Sequence, residues 1–490
     1  MEWPLKEQEI IVLGSGLGGL IAGTLLAKCN HSVLLFRENG YQPSHTLKGY
    51  RFTPFSSISE KCLKPHLLKK ISQTLGLPSF LDSQKGDSQG KANSGKFNKE
   101  GVYQFILPKA RIDIFSQRSL SQKEWKREFA DESAQIERFY DDLEQTQHLL
   151  QKLKSKEGVS PFFPFRQQSF IKNFFSFNSF SGERLSRRLS GFSREFKELI
   201  KLRLTSWGNF YSDQFPMALT AHLLLDELGT LISNFDLEKL EQEILNHFLQ
   251  CGGEVKETHQ VKKVEMKWPK GQTLSLEGDQ TIFRSKFLIL NAPLHRMLPL
   301  LDRKGRGVVT GQERIKPRYV LIPIFLGIHE KVIPVGMKDL LISILDLEKP
   351  YSDGNVIFLS LSPKGDERQA PEGRRALTVM SLMELDKWEQ TLLVDYQHGV
   401  LRHLHHLFPF LKNHIDFVDF QWASEHVPRW SYSHFLYEAT SDFHWREGVA
   451  PMRLPKKVYF VGKENFPYLG LEGEIITGLM VAEEILKKYS

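Results

Sequence analysis

The fold is decided by the stretch Ile10-Ile11-Val12-Leu13-Gly14-Ser15-Gly16-Leu17-Gly18-Gly19. Its four apolar residues predict a buried strand, and Gly14, Gly16 and Gly19 have the spacing G-x-G-x-x-G. In that spacing the first glycine permits a tight turn, the second lets the backbone approach a pyrophosphate, and the third lets a helix pack on the sheet. The stretch therefore predicts a strand, a phosphate-binding turn and a helix.

The residues after this turn complete a βαβ unit. Residues 20–28 predict a helix whose free N–H groups and positive dipole end face the phosphates. Residues 33–36 predict the next strand, and Glu38 follows at about the 20-residue distance at which an acid accepts hydrogen bonds from ribose hydroxyls. The unit predicts a dinucleotide site, but it does not separate FAD from NAD, because both carry a pyrophosphate and an adenosine ribose.

A second glycine-rich signal stands near the other end of the chain. Residues 458–461 predict an apolar strand that leads into Gly462, and Gly470-Leu471-Glu472-Gly473 precedes the segment predicted as the last helix. Free N–H groups at the start of that helix would stabilise negative charge on a bound ring. The alternative is a helix that only covers the sheet. Because both ends carry such signals, we predict one nucleotide-binding domain interrupted by a large insertion.

Composition places the chain among ordinary globular proteins and argues against several kinds of site. Its 490 residues are enough for two domains with sizeable cores. The composition, 41% apolar and 25% charged, is ordinary for a globular protein. The three cysteines form no C-x-x-C pair, and His403, His405 and His406 do not share one helix face, so no metal site is predicted. The net charge of +7 is mild and no nucleic-acid motif accompanies it, so nucleic acid is not an expected partner.

The sequence shows no targeting or membrane-spanning segment. Its first residues lack a basic region followed by an apolar one, and the apolar residues 319–328 contain Pro323 and are too few to cross a bilayer. We therefore expect a cytoplasmic protein.

Residues 161–201 have an unusual composition. They hold ten phenylalanines and eight lysines or arginines but three acids. The aromatic residues have three interpretations, which can overlap: the core of a helical substrate domain, peripheral contact with a membrane surface, or the lining of a site for a long apolar substrate.

The whole sequence resembles the phytoene desaturase and retinol saturase branch of the FAD-dependent amine oxidoreductase superfamily. Five features carry the resemblance: the N-terminal glycine motif with Glu38, residues 48–52, residues 251–255 with Val261, residues 362–373, and residues 460–478. The resemblance implies an α/β fold in which a Rossmann-type, glutathione-reductase-like FAD-binding domain is interrupted by a mixed α+β substrate domain. It implies that residues 1–80, 215–300 and 450–490 form the FAD-binding domain. Residues 102–214 and 301–449 are then expected to form the substrate domain, and the glycine- and serine-rich composition of residues 83–101 predicts a flexible loop.

The resemblance also implies FAD as cofactor and a set of residues around it. These are Gly14, Gly16, Leu17, Gly18, Gly19, Glu38, Val261, Gly462, Glu464, Gly470, Leu471, Glu472 and Gly473. The family's Gly-Gly-Arg and Asp-x-Gly triplets are replaced by residues 39–44 and 53–55. Lys463 stands where the family has an acid that bonds the ribityl chain, and Glu464 would substitute for it.

The function implied by the resemblance is hydride exchange between flavin N5 and a long apolar substrate of the isoprenoid or carotenoid kind, in the direction of desaturation or saturation. Two alternatives are a flavin amine oxidase and a flavin-free lipid- or prenyl-binding protein of the same fold, as in the Rab GDP-dissociation inhibitors. No catalytic residue is assigned. Tyr432 and His434 are either proton donors or part of an aromatic core.

The membrane interpretation of residues 161–201 has a direct test. Replacing Arg166 and Lys172 by glutamate should weaken binding of the protein to anionic liposomes, because it reverses two charges that face an anionic surface. Added salt should weaken the wild-type interaction in the same way. Liposome flotation measures both effects, and flotation unchanged by charge reversal would favour core packing.

Overall fold

The computed structural model describes residues 4–77, 102–115, 117–157, 184–212, 214–226, 232–233, 236–258, 261–267, 271–303, 306, 315–388, 393–439, 453–454 and 457–489. The predicted loop 83–101 and residues 161–183 of the phenylalanine-rich segment lie outside these ranges. Within them, two large sheets and the helices packed on them form the molecule.

The strands are numbered along the chain. They are β1 Leu5–Leu13, β2 Val33–Glu38, β3 His45–Leu47, β4 Tyr50–Phe52, β5 Cys62–Leu63, β6 Tyr103–Ile106, β7 Arg111–Ile114, β8 Phe210–Tyr211, β9 Ile232–Ser233, β10 Glu254–Thr258, β11 Val261–Lys267, β12 Gly271–Leu276, β13 Ile282–Leu290, β14 Ile315–His329, β15 Leu340–Ile344, β16 Val356–Leu361, β17 Arg374–Glu384, β18 Ile415–Asp419, β19 Phe435–Ala439, β20 Arg453–Leu454 and β21 Val458–Phe460.

The described helices are numbered in the same way. They are α1 Leu17–Lys28, α2 Pro65–Leu75, α3 Arg118–Glu128, α4 Ser133–Glu157, α5 Leu185–Arg188, α6 Arg194–Trp207, α7 Met217–Asp226, α8 Leu237–Gln250, α9 Leu294–Met297, α10 Leu385–Trp388, α11 Leu393–Leu407, α12 Gln421–His426 and α13 Leu471–Leu486. No helix among the described residues is long and apolar enough to cross a membrane.

The first sheet joins the two ends of the chain. Its order is β10-β2-β1-β13-β12-β11, and β21 pairs with β13 and β20. Strands β10, β2, β1, β13 and β21 pair in parallel, so that Leu13, Leu290 and Phe460 lie side by side where β1, β13 and β21 end. Ligands of such sheets bind beyond the carboxyl ends of the strands. Both glycine-rich signals therefore stand at the same edge of one sheet.

Helices and a meander cover the two faces of this sheet. Ile10 and Val12 face the cluster formed with α1, α2, α8 and α13, whereas Ile11 and Leu13 face the cluster formed with β11, β12 and α9. Alternate residues of a strand point to opposite faces, so a continuous apolar run marks a strand that is buried on both sides. This burial is why the short apolar runs at residues 10–13 and 33–36 form central strands.

The second sheet is mostly antiparallel and supplies the other wall of the molecule. Its order is β7-β6-β15-β16-β17-β14-β19-β8, with β18 paired to β14. Helices α3, α4, α6 and α7 contribute to the large core on this sheet. Phe192 and Phe196, the two phenylalanines of 161–201 that are described, are buried in that core, as the core-packing interpretation expects for that part of the segment.

Helices α1 and α13 cross in direct backbone contact. A Cβ atom added to Gly478 would lie 2.3 Å from the Gly18 carbonyl oxygen, and one added to Gly18 would lie 2.8 Å from the Glu474 carbonyl oxygen. Real Cβ atoms do not approach other atoms so closely, so both positions require glycine at this spacing of the helices. The last helix is thereby fixed against the start of α1.

Gly478→Ala should destabilise the protein by about 1–3 kcal/mol, because its methyl group overpacks the helix crossing. Gly23→Ala in α1 is the matched control. Its Cβ would lie 3.5 Å from a Val12 methyl group, an ordinary contact, and alanine favours a helix over glycine by about 1 kcal/mol. Urea unfolding of both variants measures the difference, and equal stability would show that the crossing can relax.

Candidate functional site

A solvent-open cleft of about 880 Å³ lies at the carboxyl ends of the parallel strands. The start of α1 contributes Gly16 and Leu17 to its wall, and the end of β2 contributes Glu38. The start of α13 contributes Leu471 and Glu474. Residues from α8, α12 and 431–434 close the remaining sides. The cleft thus lies where the sequence predicts the nucleotide.

The turn between β1 and α1 depends on its glycines for two different reasons. Gly14 has a φ of +136°, and its N–H donates to the Phe36 carbonyl oxygen at 3.0 Å. A Cβ atom on Gly14 would lie 1.9 Å from the Asn291 carbonyl oxygen. A Cβ atom on Gly16 would instead lie 2.7 Å from Oε1 of Glu474. Gly14 is therefore required by the backbone, and Gly16 by side chains that come from distant parts of the chain.

The amide groups at the start of α1 have acceptors within the protein. The Gly18 N–H donates to Oε1 of Glu474 at 3.1 Å, and the Gly19 N–H donates to Oδ1 of Asn291 at 3.0 Å. Asn291 also donates through Nδ2 to the Val461 carbonyl oxygen at 2.9 Å. These are the N–H groups predicted to face a pyrophosphate. Neither acceptor was among the predicted site residues, since each depends on contacts between segments far apart in sequence.

Glu38 stands where the ribose-binding acid is expected. It ends β2, is buried, and accepts a hydrogen bond from the Ser431 hydroxyl. Burial raises the pKa of Glu38, and the bond from Ser431 and the nearby Arg429 guanidinium oppose that rise. A carboxylate has several acceptor positions, so the bond from Ser431 leaves others for a ribose.

Of the last glycine motif, Leu471 lines the cleft, whereas the backbone and the glycines contact the protein interior. Leu471 lines the cleft, but its N–H donates to the Ser59 hydroxyl at 2.9 Å. Gly470 has a φ of +58°, and a Cβ atom there would lie 2.2 Å from Oγ of Ser59. A Cβ atom on Gly473 would lie 2.6 Å from the Phe466 carbonyl oxygen. The two glycines therefore hold the start of α13 against neighbouring backbone and side chains.

Glu472 points away from the cleft. Its carboxylate accepts a hydrogen bond from the Lys64 ammonium at 3.0 Å, and both side chains are almost fully buried. This ion pair connects α13 to the segment before α2. The described contacts thus give Glu472 an internal partner, while the neighbouring Leu471 faces the cleft.

Gly462 and Glu464 line a smaller cavity of about 430 Å³ that shares Gly16 and Glu474 with the main cleft. Oε2 of Glu464 accepts a hydrogen bond from the Leu294 N–H at 2.8 Å. Glu464 therefore fixes the position of the chain just after β13.

Val261 is fully buried at the start of β11, separated from β2 by three strands, and is not among the residues that line either cavity.

Lys463 forms an ion pair within the cleft. Its Nζ donates to Oε1 of Glu60 at 2.7 Å and to the Ser56 hydroxyl at 2.9 Å. Burial opposes ionisation of Glu60, but the Lys463 ammonium outweighs it with help from other neighbours and lowers the pKa of Glu60 to about 2. The lysine that replaces an expected acid therefore has its own acid nearby, and the pair carries two opposite charges at pH 7.

The two candidate proton donors have different environments. Tyr432 is buried, and its hydroxyl donates to the Leu321 carbonyl oxygen. His434 lines the cleft, where burial and the nearby Lys463 lower its pKa to about 3. His434 is therefore neutral at pH 7. Nδ1 of His434 has no hydrogen-bond partner within the described residues.

The three histidines of α11 that could suggest a metal site lie in different environments. His403 is buried and bonds Ser343 and the Gly354 carbonyl oxygen, while His405 and His406 are exposed. Among the residues that the structure describes, no three His, Cys, Asp or Glu side chains stand together as a metal site would require.

Comparison with known proteins identifies the family. Residues 64–486 match the profile of flavin containing amine oxidoreductases. The chain belongs to this family. FAD is the cofactor of the family, so the match confirms the predicted cofactor and the predicted α/β fold. The phytoene desaturase and retinol saturase branch is a finer assignment and stays a prediction. A comparison with curated protein sequences finds no match.

Solved structures share the fold of this amine oxidoreductase at low sequence identity. A putrescine oxidase bound to putrescine is 13% identical, with a TM-score of 0.60, over 99% of this chain and 100% of the other. Cyclohexylamine oxidase from Brevibacterium oxydans IH-35A is 13% identical, with a TM-score of 0.57, over 99% and 100%. A Rab GDI from Plasmodium falciparum is 9% identical, with a TM-score of 0.56, over 98% of each chain.

The residues at the two ends of the cleft suit FAD, whereas a carboxylate occupies the start of α1 between them. Glu38 lines the cleft where the resemblance expects the ribose, and the start of α13 lines it where the resemblance expects the flavin ring. Leu17 and Gly16 provide the surface between these points. At the start of α1, however, the carboxylate of Glu474 already accepts the Gly18 N–H. A pyrophosphate placed at the start of α1 would therefore meet the carboxylate of Glu474.

The Lys463–Glu60 pair should be important for stability because it is buried. Lys463→Met should cost about 3–5 kcal/mol, since it leaves the buried Glu60 without a counter-charge. The double variant with Glu60→Gln should recover part of this loss. Urea unfolding at pH 7 measures both.

The pair Lys6–Glu254 is the matched control, because its N–O distance is 2.6 Å but both side chains are about half exposed. Lys6→Met should cost at most about 1 kcal/mol. Equal losses for the buried and exposed pairs would contradict the assigned role of burial.

Proposed function

We propose that this chain is an FAD-dependent oxidoreductase that binds its cofactor in the cleft between Glu38 and the start of α13. The observation that carries the proposal is the common position of these groups. The acid at the end of β2, the start of α1 and the start of α13 all line one cleft at the carboxyl edge of the parallel sheet. This is the order in which a ribose, a pyrophosphate and a flavin ring would meet them.

When bound, FAD supplies the exchange of a hydride with a substrate carbon. The chain supplies the environment of that exchange. The side chains of Trp422 and Tyr432 contribute aromatic surface to the wall of the cleft, and the Lys463 ammonium places positive charge there. Neutral His434 lines the cleft as an unprotonated imidazole, and because burial and Lys463 lower its pKa to about 3, it serves as a hydrogen-bonding group rather than as a base at pH 7.

We favour an amine as substrate because carboxylates stand in the cleft wall. Glu60 is ionised and paired with Lys463, and Glu241 contributes a second carboxyl group to the wall. Burial and the neighbouring Glu474 raise the pKa of Glu241 to about 8, so a cationic ligand beside it would favour its ionised form. The named functions of the putrescine and cyclohexylamine oxidases, which share the fold, agree with this choice.

A long apolar substrate of the isoprenoid or carotenoid kind is the second candidate. Its support is the composition of residues 161–201, whose phenylalanines are typical of an apolar lining. Desaturation and saturation would use the same cleft in opposite directions. A third candidate, a flavin-free lipid-binding protein, is supported by the shared fold of the Rab GDI and by the carboxylate at the start of α1.

The experiment that tests these proposals begins with protein reconstituted with excess FAD. It should show the visible absorption band of bound flavin after gel filtration. Under anaerobic conditions a primary amine should bleach this band, whereas its neutral N-acetyl derivative should not, because that derivative lacks the positive charge. Bleaching by a polyene alone would favour the isoprenoid candidate. Folded protein that retains no flavin would refute the oxidoreductase and support the flavin-free candidate.

A further inference from the structure

The start of α1 is an anion site that the chain itself fills. Gly16 precedes the helix and supplies no side-chain cap, so the first N–H groups need acceptors from elsewhere. Oε1 of Glu474 accepts a hydrogen bond from the Gly18 N–H at 3.1 Å, and Glu474 is only 4% exposed. A carboxylate is a favourable partner for a helix N-terminus, where the helix dipole is positive.

The packing of the last helix explains why position 474 reaches this site. Glu474 lies in the first turn of α13, and its carbonyl oxygen would lie 2.8 Å from a Cβ atom added to Gly18. Gly478, in the following turn, lies against the Gly18 carbonyl oxygen. The Glu474 backbone is therefore already against the start of α1. Its side chain spans the short remaining distance to the Gly18 N–H. A small side chain at 474 would leave this N–H open to the cleft.

We propose that Glu474 competes with the pyrophosphate of FAD for the start of α1 and thereby sets how tightly this chain holds its cofactor. The proposal rests on the FAD-dependent function proposed above. Carboxylate and phosphate are both anions that accept hydrogen bonds from helix N-termini, and one N–H cannot serve both well. FAD enters with Glu474 turned aside, which costs the bond to Gly18.

The charges around Glu474 support this competition. Burial raises the pKa of Glu474, Lys463 and the Gly18 N–H oppose the rise, and Glu60 adds to it. The pKa of Glu241, on α8, is likewise raised by burial and by the nearby Glu474. A pyrophosphate would bring further negative charge to this group of carboxylates. Removing the charge of Glu474 therefore favours the pyrophosphate in addition to freeing the N–H.

The test compares FAD binding by the full-length wild type, Glu474→Ala and Glu474→Gln, measured through quenching of flavin fluorescence. Glu474→Ala should bind FAD at least about tenfold more tightly, because it removes both the charge and the occupying group. Glu474→Gln retains an acceptor for Gly18 but not the charge, so its affinity should lie between the other two. Glu483→Gln is the control on the same helix, since Glu483 does not line the cleft within the described residues.

Riboflavin, which lacks a pyrophosphate, separates this effect from general changes in the cleft. Its affinity should differ by less than about twofold among the variants. Thermal unfolding without ligand should show that each variant is folded, and Glu474→Gln keeps the test available if Glu474→Ala is unstable.

Three results would overturn the proposal in different ways. Equal or weaker FAD binding by Glu474→Ala than by a wild type that binds FAD would refute the competition and leave the FAD-dependent function intact. Absence of FAD binding by wild type and folded variants alike would refute the FAD-dependent function and the competition that rests on it. Equal tightening for riboflavin and FAD would show that the pyrophosphate is not what Glu474 opposes.

Discussion

The structure depends on the parallel pairing of β13 with β1 on one side and β21 on the other. Ile10–Leu13 lies near one end of the chain and Val458–Phe460 near the other, and both pair with β13. β13 holds both in register, so that Leu13, Leu290 and Phe460 end at one edge. Closing so long a loop costs chain entropy, and the continuous burial of these strands on both faces offsets it. The cleft exists because this pairing brings the two glycine-rich ends together.

Once the ends are together, the distance between α1 and α13 determines the chemistry of the cleft. Glycine at 18 and 478 allows backbone contact, and at such a short distance the first turn of α13 lies directly at the start of α1. The residue at 474 then decides whether the helix N-terminus is open or filled. Glutamate fills it with a carboxylate that has the charge and acceptor geometry of the ligand it displaces. The N–H groups that would bind an anionic ligand in this fold are therefore hydrogen-bonded by a side chain of the protein itself.

The sequence predicted the elements whose signals are local. The apolar strand before Gly14, the helix after the glycine turn and the acid at the end of β2 lie where their patterns placed them. The side-chain contacts between distant segments were not predicted, although the meeting of the two glycine-rich ends was. Glu474 and Asn291 meet α1 because of the sheet order, and no spacing within the sequence encodes that meeting. Val261 shows the same limit, because the resemblance places it near the cofactor, whereas the sheet order, which puts three strands between β11 and β2, is not encoded in any local spacing.

The pair Lys463–Glu60 and the carboxylate of Glu474 belong to one electrostatic arrangement. Lys463 favours ionisation of both acids, whereas the acids disfavour each other, and burial disfavours all three charges. The cleft is therefore neutralised in part from within, by a cation standing where an acid was expected. A bound pyrophosphate would change this balance most at Glu474, because that carboxylate shares its hydrogen-bond donor with the ligand. Lys463 would remain beside the cleft as a counter-charge, so the substitution that departs from the family pattern also moderates the cost of bringing an anion to this group of acids.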